Sequence, residues 1–218
     1  CSNAQPLSIE MRNLSYQFDD ADVAVLKNIS LKINAKERVA VAGYNASGKS
    51  ILMQILSVVR QDFTGSLLFN GLPEQNLDLR SLREHIGDFS SQEDIFKGSI
   101  LENITLGSSG ISLPRVLDVV EKVGLSAFVR ESPQGLDTEL MSGGKNSPRS
   151  IITKILLARS VAAQPNLLVM EEPLAGLNFR DRLGIAQFLT DRAQSWTLVC
   201  VTEDPVLAAL CDRVLILK

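Results

Sequence analysis

Residues 43–50 have the types and the spacing of a loop that holds phosphate groups. They read GYNASGKS and fit the pattern G-x-x-x-x-G-K-S/T. Gly43 and Gly48 allow the backbone to curl so that successive N–H groups point inward. Lys49 then reaches the outer phosphates of a nucleotide, and the Ser50 hydroxyl is available to Mg²⁺. A chance glycine-rich turn is the alternative, and the flanking pattern disfavours it.

Two adjacent acids supply the second group of chemistry-bearing residues. Glu171 and Glu172 follow the apolar segment NLLVM, so they stand at the end of a predicted strand. One carboxylate is then directed toward Mg²⁺ and the next toward an attacking water. A solvated strand edge is the alternative. The apolar run favours a central strand, whose C-terminal end faces a nucleotide crevice.

A strand, a loop and a helix must position the phosphate loop. Residues 37–43, ERVAVAG, predict a buried strand, and apolar residues then recur at helical spacing from Ile51 to Val59. From Ile151 onward, helical patterns alternate with strand patterns at 166–170, 197–201 and 213–217. This alternation predicts an α/β fold with a mostly parallel sheet.

Two further regions complete the predicted domain, which covers residues 7–218. Short alternating segments at 7–11, 14–18, 23–26 and 29–33 predict an antiparallel β subdomain. The stretch from about 81 to 150 predicts an inserted helical subdomain, in which Ser112 is the N-cap of a helix and Pro114 lies in its first turn. The apolar face of that helix is predicted to be Leu113, Val116, Leu117, Val120 and Val123. Residues 1–6 are predicted to be a tag remnant or disordered.

The composition excludes several classes of protein. Lysine and arginine number 22 against 25 acidic residues, the net charge is −3 and no basic cluster occurs, which disfavours a nucleic-acid partner. Three cysteines without CxxC spacing and a single histidine, His85, disfavour a zinc site. No apolar run approaches the roughly 18 residues of a membrane helix.

Taken together, the motifs resemble the nucleotide-binding domain of ATP-binding cassette (ABC) transporters, particularly the exporter type. Besides the phosphate loop and LLVMEEP, the similar segments are SLREHIG, GSILENI, GLDTEL and LLARS. The resemblance covers nearly the whole chain and implies a P-loop NTPase, or RecA-like, fold. It also implies ATP and Mg²⁺ as cofactors, and a head-to-tail dimer with a second nucleotide-binding domain. A membrane-spanning domain, absent from this sequence, would hold the pair at the cytoplasmic face of the membrane.

The resemblance assigns roles to individual residues. The adenine-stacking aromatic maps to Phe18, with Tyr16 as the alternative, and Glu172 becomes the general base. Glu171 stands where the family has a metal-binding aspartate. The family's metal-contacting glutamine maps to Ser91 in gapless matching, with Gln92 one residue later, and both stay open. The predicted ATP-binding residues are Phe18, Gly43, Asn45, Ala46, Ser47, Gly48, Lys49, Ser50 and Ile51.

The family signature LSGGQ, which contacts the partner's ATP, is degenerate in this chain. Gapless matching places it on Ser147, Pro148, Arg149, Ser150 and Ile151. The SGGK string at 142–145 then falls on the preceding turn and is a lookalike; the alternative is a signature shifted by about six residues. Ser147 as N-cap and Pro148 as first helical residue favour the gapless match.

Pro148 has no N–H to donate, and the side chain of Arg149 obstructs a close backbone approach to phosphate. The Arg149 guanidinium either contacts phosphate itself or points to solvent, and we favour solvent.

A second departure concerns the family's switch histidine, which Glu203 replaces in LVCVTEDP. An ionised glutamate cannot donate to the γ-phosphate and repels it. The sequence therefore predicts an ABC exporter domain that binds Mg·ATP and hydrolyses it weakly. The alternative is a non-hydrolysing, ATP-dependent dimerisation or regulatory subunit of a heterodimeric transporter. A third possibility, an unrelated phosphate-loop kinase or DNA-repair ATPase, would require an acceptor pocket or a basic surface.

Overall fold

A computed structural model describes residues 5–20, 22–90 and 94–217. Its strands are β1 (Ile9–Tyr16), β2 (Leu26–Ile33), β3 (Arg38–Gly43), β4 (Thr64–Phe69), β5 (Leu72–Pro73), β6 (Ile86–Phe89), β7 (Gly98–Ser99), β8 (Glu139–Leu140), β9 (Leu167–Glu171), β10 (Thr197–Val201) and β11 (Arg213–Leu217). Its helices are α1 (Lys49–Leu56), α2 (Leu79–Arg83), α3 (Ile100–Thr105), α4 (Leu113–Lys122), α5 (Ser126–Glu131), α6 (Arg149–Ala162), α7 (Phe179–Thr190) and α8 (Pro205–Leu210). Among these helices, none is long and apolar enough to cross a membrane.

A five-stranded parallel sheet in the order β11-β3-β10-β9-β6 forms the centre of the fold. In its register Val201 pairs with both Val41 and Glu171, so β3, β9 and β10 end at the same edge. The phosphate loop, the two acids and the loop after β10 therefore meet there. The predicted α/β P-loop NTPase fold is confirmed.

Both faces of the parallel sheet are covered, because its strands send alternate side chains to two separate cores. Leu168, Met170 and Cys200 pack on the side of α6 and the helical region. Val169 and Val199 pack on the opposite side, with α1 and the antiparallel sheet. Burial on both faces explains why these strands read as continuous apolar runs in the sequence.

The antiparallel sheet has the order β2-β1-β4-β5, and it differs in detail from the prediction. The segments 7–11 and 14–18 belong largely to one strand, β1, whose pairing with β2 shifts register between Met11 and Leu14. Asn13 adopts a left-handed φ of 49° at this irregularity. A bulge breaks the alternation of side chains without ending the strand. The predicted strand at 23–26 is wrong, since β2 begins at Leu26 and Val23 is exposed.

The helical region contains α3, α4 and α5. The predicted range of about 81–150 also takes in β6, which is a strand of the parallel sheet. On α4, Ser112 is the N-cap residue and Pro114 lies in the first turn, both as predicted, although the Ser112 side chain makes no capping hydrogen bond. Of the predicted apolar face, Val116, Val120 and Val123 are buried, whereas Leu113 and Leu117 are 54% and 49% exposed. The helix packs against α6 through its short valine side chains.

Candidate functional site in the phosphate-loop cleft

The phosphate loop curls around the ammonium group of Lys49. Lys49 Nζ donates hydrogen bonds to the carbonyls of Gly43 and Tyr44, each at 2.7 Å. Gly48 precedes α1 with a left-handed φ of 87°, and a Cβ there would lie 2.6 Å from Leu26 Cδ2. Only glycine fits such a position without strain. The N-terminus of α1 therefore faces the inside of the loop, where its free N–H groups favour an anion.

A cleft of about 500 Å³ opens over this loop. It gathers most of the residues that the sequence singled out, from four separate stretches of the chain. Its lining residues are Phe18, Val25, Asn45, Ala46, Gly48, Lys49, Ser50, Ile51, Glu171, Glu172, Val201 and Glu203. Gly43 and Ser47 lie outside the lining, although the sequence grouped them with it. Ser47 Oγ is buried and has no hydrogen-bond partner within the described part of the chain.

Phe18 and Tyr16 are distinguished by burial. Tyr16 is 3% exposed and belongs to the core, where its hydroxyl accepts a hydrogen bond from Arg60. Phe18 is 44% exposed and packs edge-to-face against Tyr16, with 5.1 Å between the ring centroids. The structure therefore leaves Phe18, and not Tyr16, with a ring available to the cleft.

The first acid of the pair contacts the phosphate loop. Ser50 Oγ donates to Glu171 Oε1 at 2.5 Å. A hydroxyl beside a carboxylate is a set of oxygen donors that suits Mg²⁺. Within the described residues no three acidic, histidine or cysteine side chains are grouped as a metal site. The predicted ligands Ser91 and Gln92 lie outside the described residues.

The second acid, Glu172, is held in an uncommon conformation. Its φ is 47°, and its N–H donates to the carbonyl of Val201 at 2.9 Å. The backbone N–H of Glu203 donates to Glu172 Oε1 at 2.8 Å. Burial raises the pKa of Glu172, the carboxylates of Glu203, Asp204 and Glu171 add to that effect, and the hydrogen bond from Glu203 opposes it. A raised pKa makes a carboxylate a better proton acceptor.

The segment that gapless matching assigns to the signature lies at the N-terminus of α6. Residues 142–144 form a 3-10 turn, as the lookalike reading requires. The helix begins at Arg149 with Pro148 as its N-cap, so the predicted start, with Ser147 as cap, is wrong by one residue. Pro148 has an extended ψ of 144°, which makes it the flanking residue and not the first helical one. Arg149 is exposed, as favoured, and Ser147, Ser150 and Ile151 do not line the cleft.

Sequence reasoning missed a further carboxylate near the loop. Asp88 on β6 lines a cavity of about 190 Å³ together with Ser50 and Glu171. Burial raises the pKa of Asp88 to about 6, and the charge of Glu171 adds to the rise. The signal was present in the sequence, since Asp88 is a charged residue inside a short strand pattern.

Comparisons with known proteins agree with this geometry. The ABC transporter family model matches residues 26–175. Similar proteins include the mating factor M secretion protein mam1 of Schizosaccharomyces pombe, 28% identical over 96% of this chain and 15% of that protein. Another is the glutathione/L-cysteine transport system ATP-binding/permease protein CydC of Escherichia coli, 27% identical over 92% of this chain and 35% of that protein. A multidrug efflux ATP-binding/permease protein of Mycobacterium bovis is 31% identical over 98% of this chain and 18% of its own length.

Among solved structures, a bacterial Atm1-family ABC exporter with ATP bound superposes with a TM-score of 0.90 at 25% identity. The match covers 98% of this chain and 37% of the exporter. The chain thus spans little more than a third, or less, of these relatives. The matched segment contains the phosphate loop and both acids. The chain therefore belongs to the ABC transporter family, as an ATP-binding ATPase domain of the exporter kind.

Proposed function

We propose that this domain binds Mg·ATP in the phosphate-loop cleft and hydrolyses it slowly, and that the nucleotide cycle drives export through a membrane-spanning domain. The observation that carries the proposal is the convergence of Lys49, Ser50, Glu171 and Glu172 on one cleft. These side chains supply a cation for phosphate, two oxygen ligands and a proton acceptor. An aromatic ring, Phe18, stands at the same cleft for the base.

Binding would exchange contacts within the loop for contacts with phosphate. Without nucleotide, Lys49 donates its hydrogen bonds to two loop carbonyls. A phosphate oxygen would replace these carbonyls, or bind beside them, as a charge-assisted acceptor. The loop N–H groups from Asn45 to Ser50 would surround the same phosphates. Phe18 needs only a free ring face to stack on adenine.

The reaction follows from the two acids. Mg²⁺ bound between Ser50 and Glu171 would neutralise charge on the phosphates. Glu172 would orient a water and accept its proton as the water attacks the γ-phosphate. Glu203 opposes this step, because a carboxylate about 4 Å from a phosphate charge costs about 4 kcal/mol at an effective dielectric constant near 20. Hydrolysis is therefore slow.

The partners follow from the relatives, two of which are named as ATP-binding/permease proteins. We place this domain at the cytoplasmic face of a membrane, joined to a membrane-spanning domain and paired with a second nucleotide-binding domain. In that pair, residues 147–151 would face the partner's nucleotide. Their position at the exposed start of α6 supports this arrangement.

A second candidate function is an ATP-dependent dimerisation subunit that does not hydrolyse ATP. Two features favour it: Glu203 lines the cleft, and Pro148 and Arg149 stand where sequence matching places the signature. The bound nucleotide would then stabilise the interface without being consumed. Single-turnover release of phosphate separates the two functions, because the subunit would bind ATP stoichiometrically and release none.

Binding itself is tested with Lys49→Ala. Loss of a charge-assisted phosphate contact removes roughly 1.5–3 kcal/mol, so the Kd for Mg·ATP should rise at least about tenfold. Equilibrium titration with a fluorescent ATP analogue measures it, and Lys27→Ala, at an exposed position of β2, is the matched control. An unchanged Kd for Lys49→Ala would refute binding through this loop.

A further inference from the structure

The loop after β10 contacts the proposed general base through its backbone. The N–H of Glu203 donates to Glu172 Oε1 at 2.8 Å, whereas the Glu203 side chain is exposed. Just before it, the N–H of Thr202 donates to the carbonyl of Val41 at 3.2 Å. The chain is thus held just before Glu203. The direction of the Glu203 N–H therefore depends on how the residues just after it are held.

Asp204 holds that side of the loop. Its side chain is 8% exposed, and its Oδ1 caps α8 by accepting from the N–H groups of Val206 and Leu207, at 2.8 and 3.2 Å. Its own N–H donates to Thr202 Oγ1 at 3.0 Å. The bond from the Asp204 N–H fixes the peptide that joins Glu203 to Asp204, and the two capping bonds hold the Asp204 side chain at the start of α8.

Arg182 on α7 completes the anchor. Its Nε donates to Asp204 Oδ2 at 2.6 Å, and Nη2 of the same guanidinium contacts the same oxygen. A charge-assisted contact of this kind to a buried carboxylate is strong and directional. Helix α7 begins at Phe179, only a short loop after Glu172. The chain from Glu172 to Arg182 and the contacts back through Asp204 and Glu203 therefore form a closed ring.

We propose that Arg182 is a positioning residue for hydrolysis, which holds the Glu172 carboxylate in place through Asp204 and the backbone N–H of Glu203. The inference rests on the proposed role of Glu172 as general base. A displacement of a proton acceptor by about 1 Å lowers turnover strongly, so the ring matters for kcat. Arg182 itself does not line the cleft, so the affinity for Mg·ATP does not depend on it.

The alternative role for this ion pair is simple attachment of α8 to α7. The amide of Glu203 distinguishes the two roles, because it reports the bond to Glu172 in the nucleotide-free protein. We expect Arg182→Gln to speed hydrogen exchange of the Glu203 amide and to lower single-turnover kcat by about tenfold, with Kd for Mg·ATP unchanged. Arg182→Lys, which keeps the positive charge, should restore most of the protection of the Glu203 amide and most of the turnover.

One control lies on the same helix, and the other tests the second member of the ion pair. Arg180→Gln removes an exposed charge two residues away on α7 and should change neither the hydrogen exchange of the Glu203 amide nor the rate of hydrolysis. Asp204→Asn keeps an oxygen for the cap of α8 and should change the amide exchange and the rate as much as Arg182→Gln does. The double variant should change them no more than either single variant.

Two outcomes would overturn the proposal. One is a Glu203 amide that exchanges equally fast in the unaltered chain and in Arg182→Gln. The other is a drop in melting temperature with kcat and the amide unchanged, which would leave the pair a purely structural role. If the unaltered chain releases no phosphate, the proposed hydrolytic function fails, and the amide exchange still decides whether Arg182 positions Glu172.

Discussion

At the scale of single residues, Glu172 and Glu203 are the pair on which the proposed slow hydrolysis rests. We expect Glu203 to hold the Glu172 carboxylate in place through its backbone N–H, which donates to Oε1 at 2.8 Å, and to repel the phosphate through its side chain. Because the two effects use different atoms, a substitution at 203 can remove one and keep the other. We therefore expect position 203 to influence the rate of hydrolysis.

Glu203→His should raise turnover when a partner domain supplies an intact LSGGQ signature. The change removes a negative charge and adds a donor, while the N–H to Glu172 stays; we expect about a tenfold gain, equal to about 1.4 kcal/mol. Phosphate release from a mixed dimer with a signature-intact, Lys-deficient partner measures it. Equal rates for both versions would shift attention to the region of Ser91.

Asp88→Asn should stabilise the nucleotide-free protein above about pH 7. The pKa of Asp88 is raised from 3.8 to about 6, so folding costs free energy once the carboxyl must ionise. That cost is absent below pH 3.8, where both states are protonated, grows up to pH 6 and is complete above it. Partial exposure limits it to on the order of 1 kcal/mol.

Urea unfolding at several pH values measures this difference. Asp20→Asn, at an exposed position, is the control and should show no such trend. If Asp88→Asn raises the free energy of unfolding by the same amount at pH 3.8 and above pH 6, the cost does not come from ionisation of this carboxyl.

At the scale of elements, the turn before α6 gives the two glycines of the SGGK string a structural role. The turn requires a left-handed backbone at two positions, which glycine adopts without strain. Gly143 and Gly144 have φ values of 71° and 62°, and the N–H of Gly143 donates to the carbonyl of Ile95 at 2.8 Å. The turn thus connects the start of α6 to the segment that follows residues 91–93.

Gly144→Ala should destabilise the fold far more than Gly143→Ala. A Cβ on Gly144 would lie 2.1 Å from Ile152 Cδ1, whereas the nearest atom to a Cβ on Gly143 is Asp94 Oδ2 at 3.5 Å. Both variants carry the left-handed cost of about 1 kcal/mol, and Gly144→Ala adds about 1–3 kcal/mol of overpacking. Thermal unfolding of the pair measures the difference, and equal midpoints would show that Ile152 moves aside freely.

At the scale of the whole molecule, the binding cleft forms within a single copy of the domain. Its two cores cover both faces of the parallel sheet, so the cleft needs no partner to form. Residues 147–151, which sequence matching assigns to the signature, lie at the start of α6 and outside that cleft. In the proposed dimer, a second domain brings its own signature to this domain's nucleotide.

The isolated chain should therefore be mostly monomeric without nucleotide and should hydrolyse ATP slowly even at high concentration. A homodimer would place Pro148 and Arg149 of each copy against the phosphates of the other, where a missing N–H and a bulky side chain weaken the contact. Sedimentation and phosphate release measure both properties. Robust turnover that Glu172→Gln abolishes would show that this signature works.

The sequence determined the parts of this protein that depend on local pattern. The phosphate loop, its strand and its helix, the parallel alternation and the strand-end acids all follow from periodicity and from short motifs, because each is encoded within about ten neighbouring residues. The fold class and the family followed from them. The four-strand reading of the first 33 residues failed because a bulge at Asn13 interrupts alternation in the same way as a strand end.

The tertiary structure decided what depends on contacts between distant residues. It placed Tyr16 in the core and Phe18 at the cleft, exposed Leu113 and Leu117, and brought Asp88 beside Ser50 and Glu171. It also joined Arg182 to the base through Asp204. These residues lie far apart in the sequence, and burial or pairing at such distances is fixed only when the strands take their register and the helices pack on them.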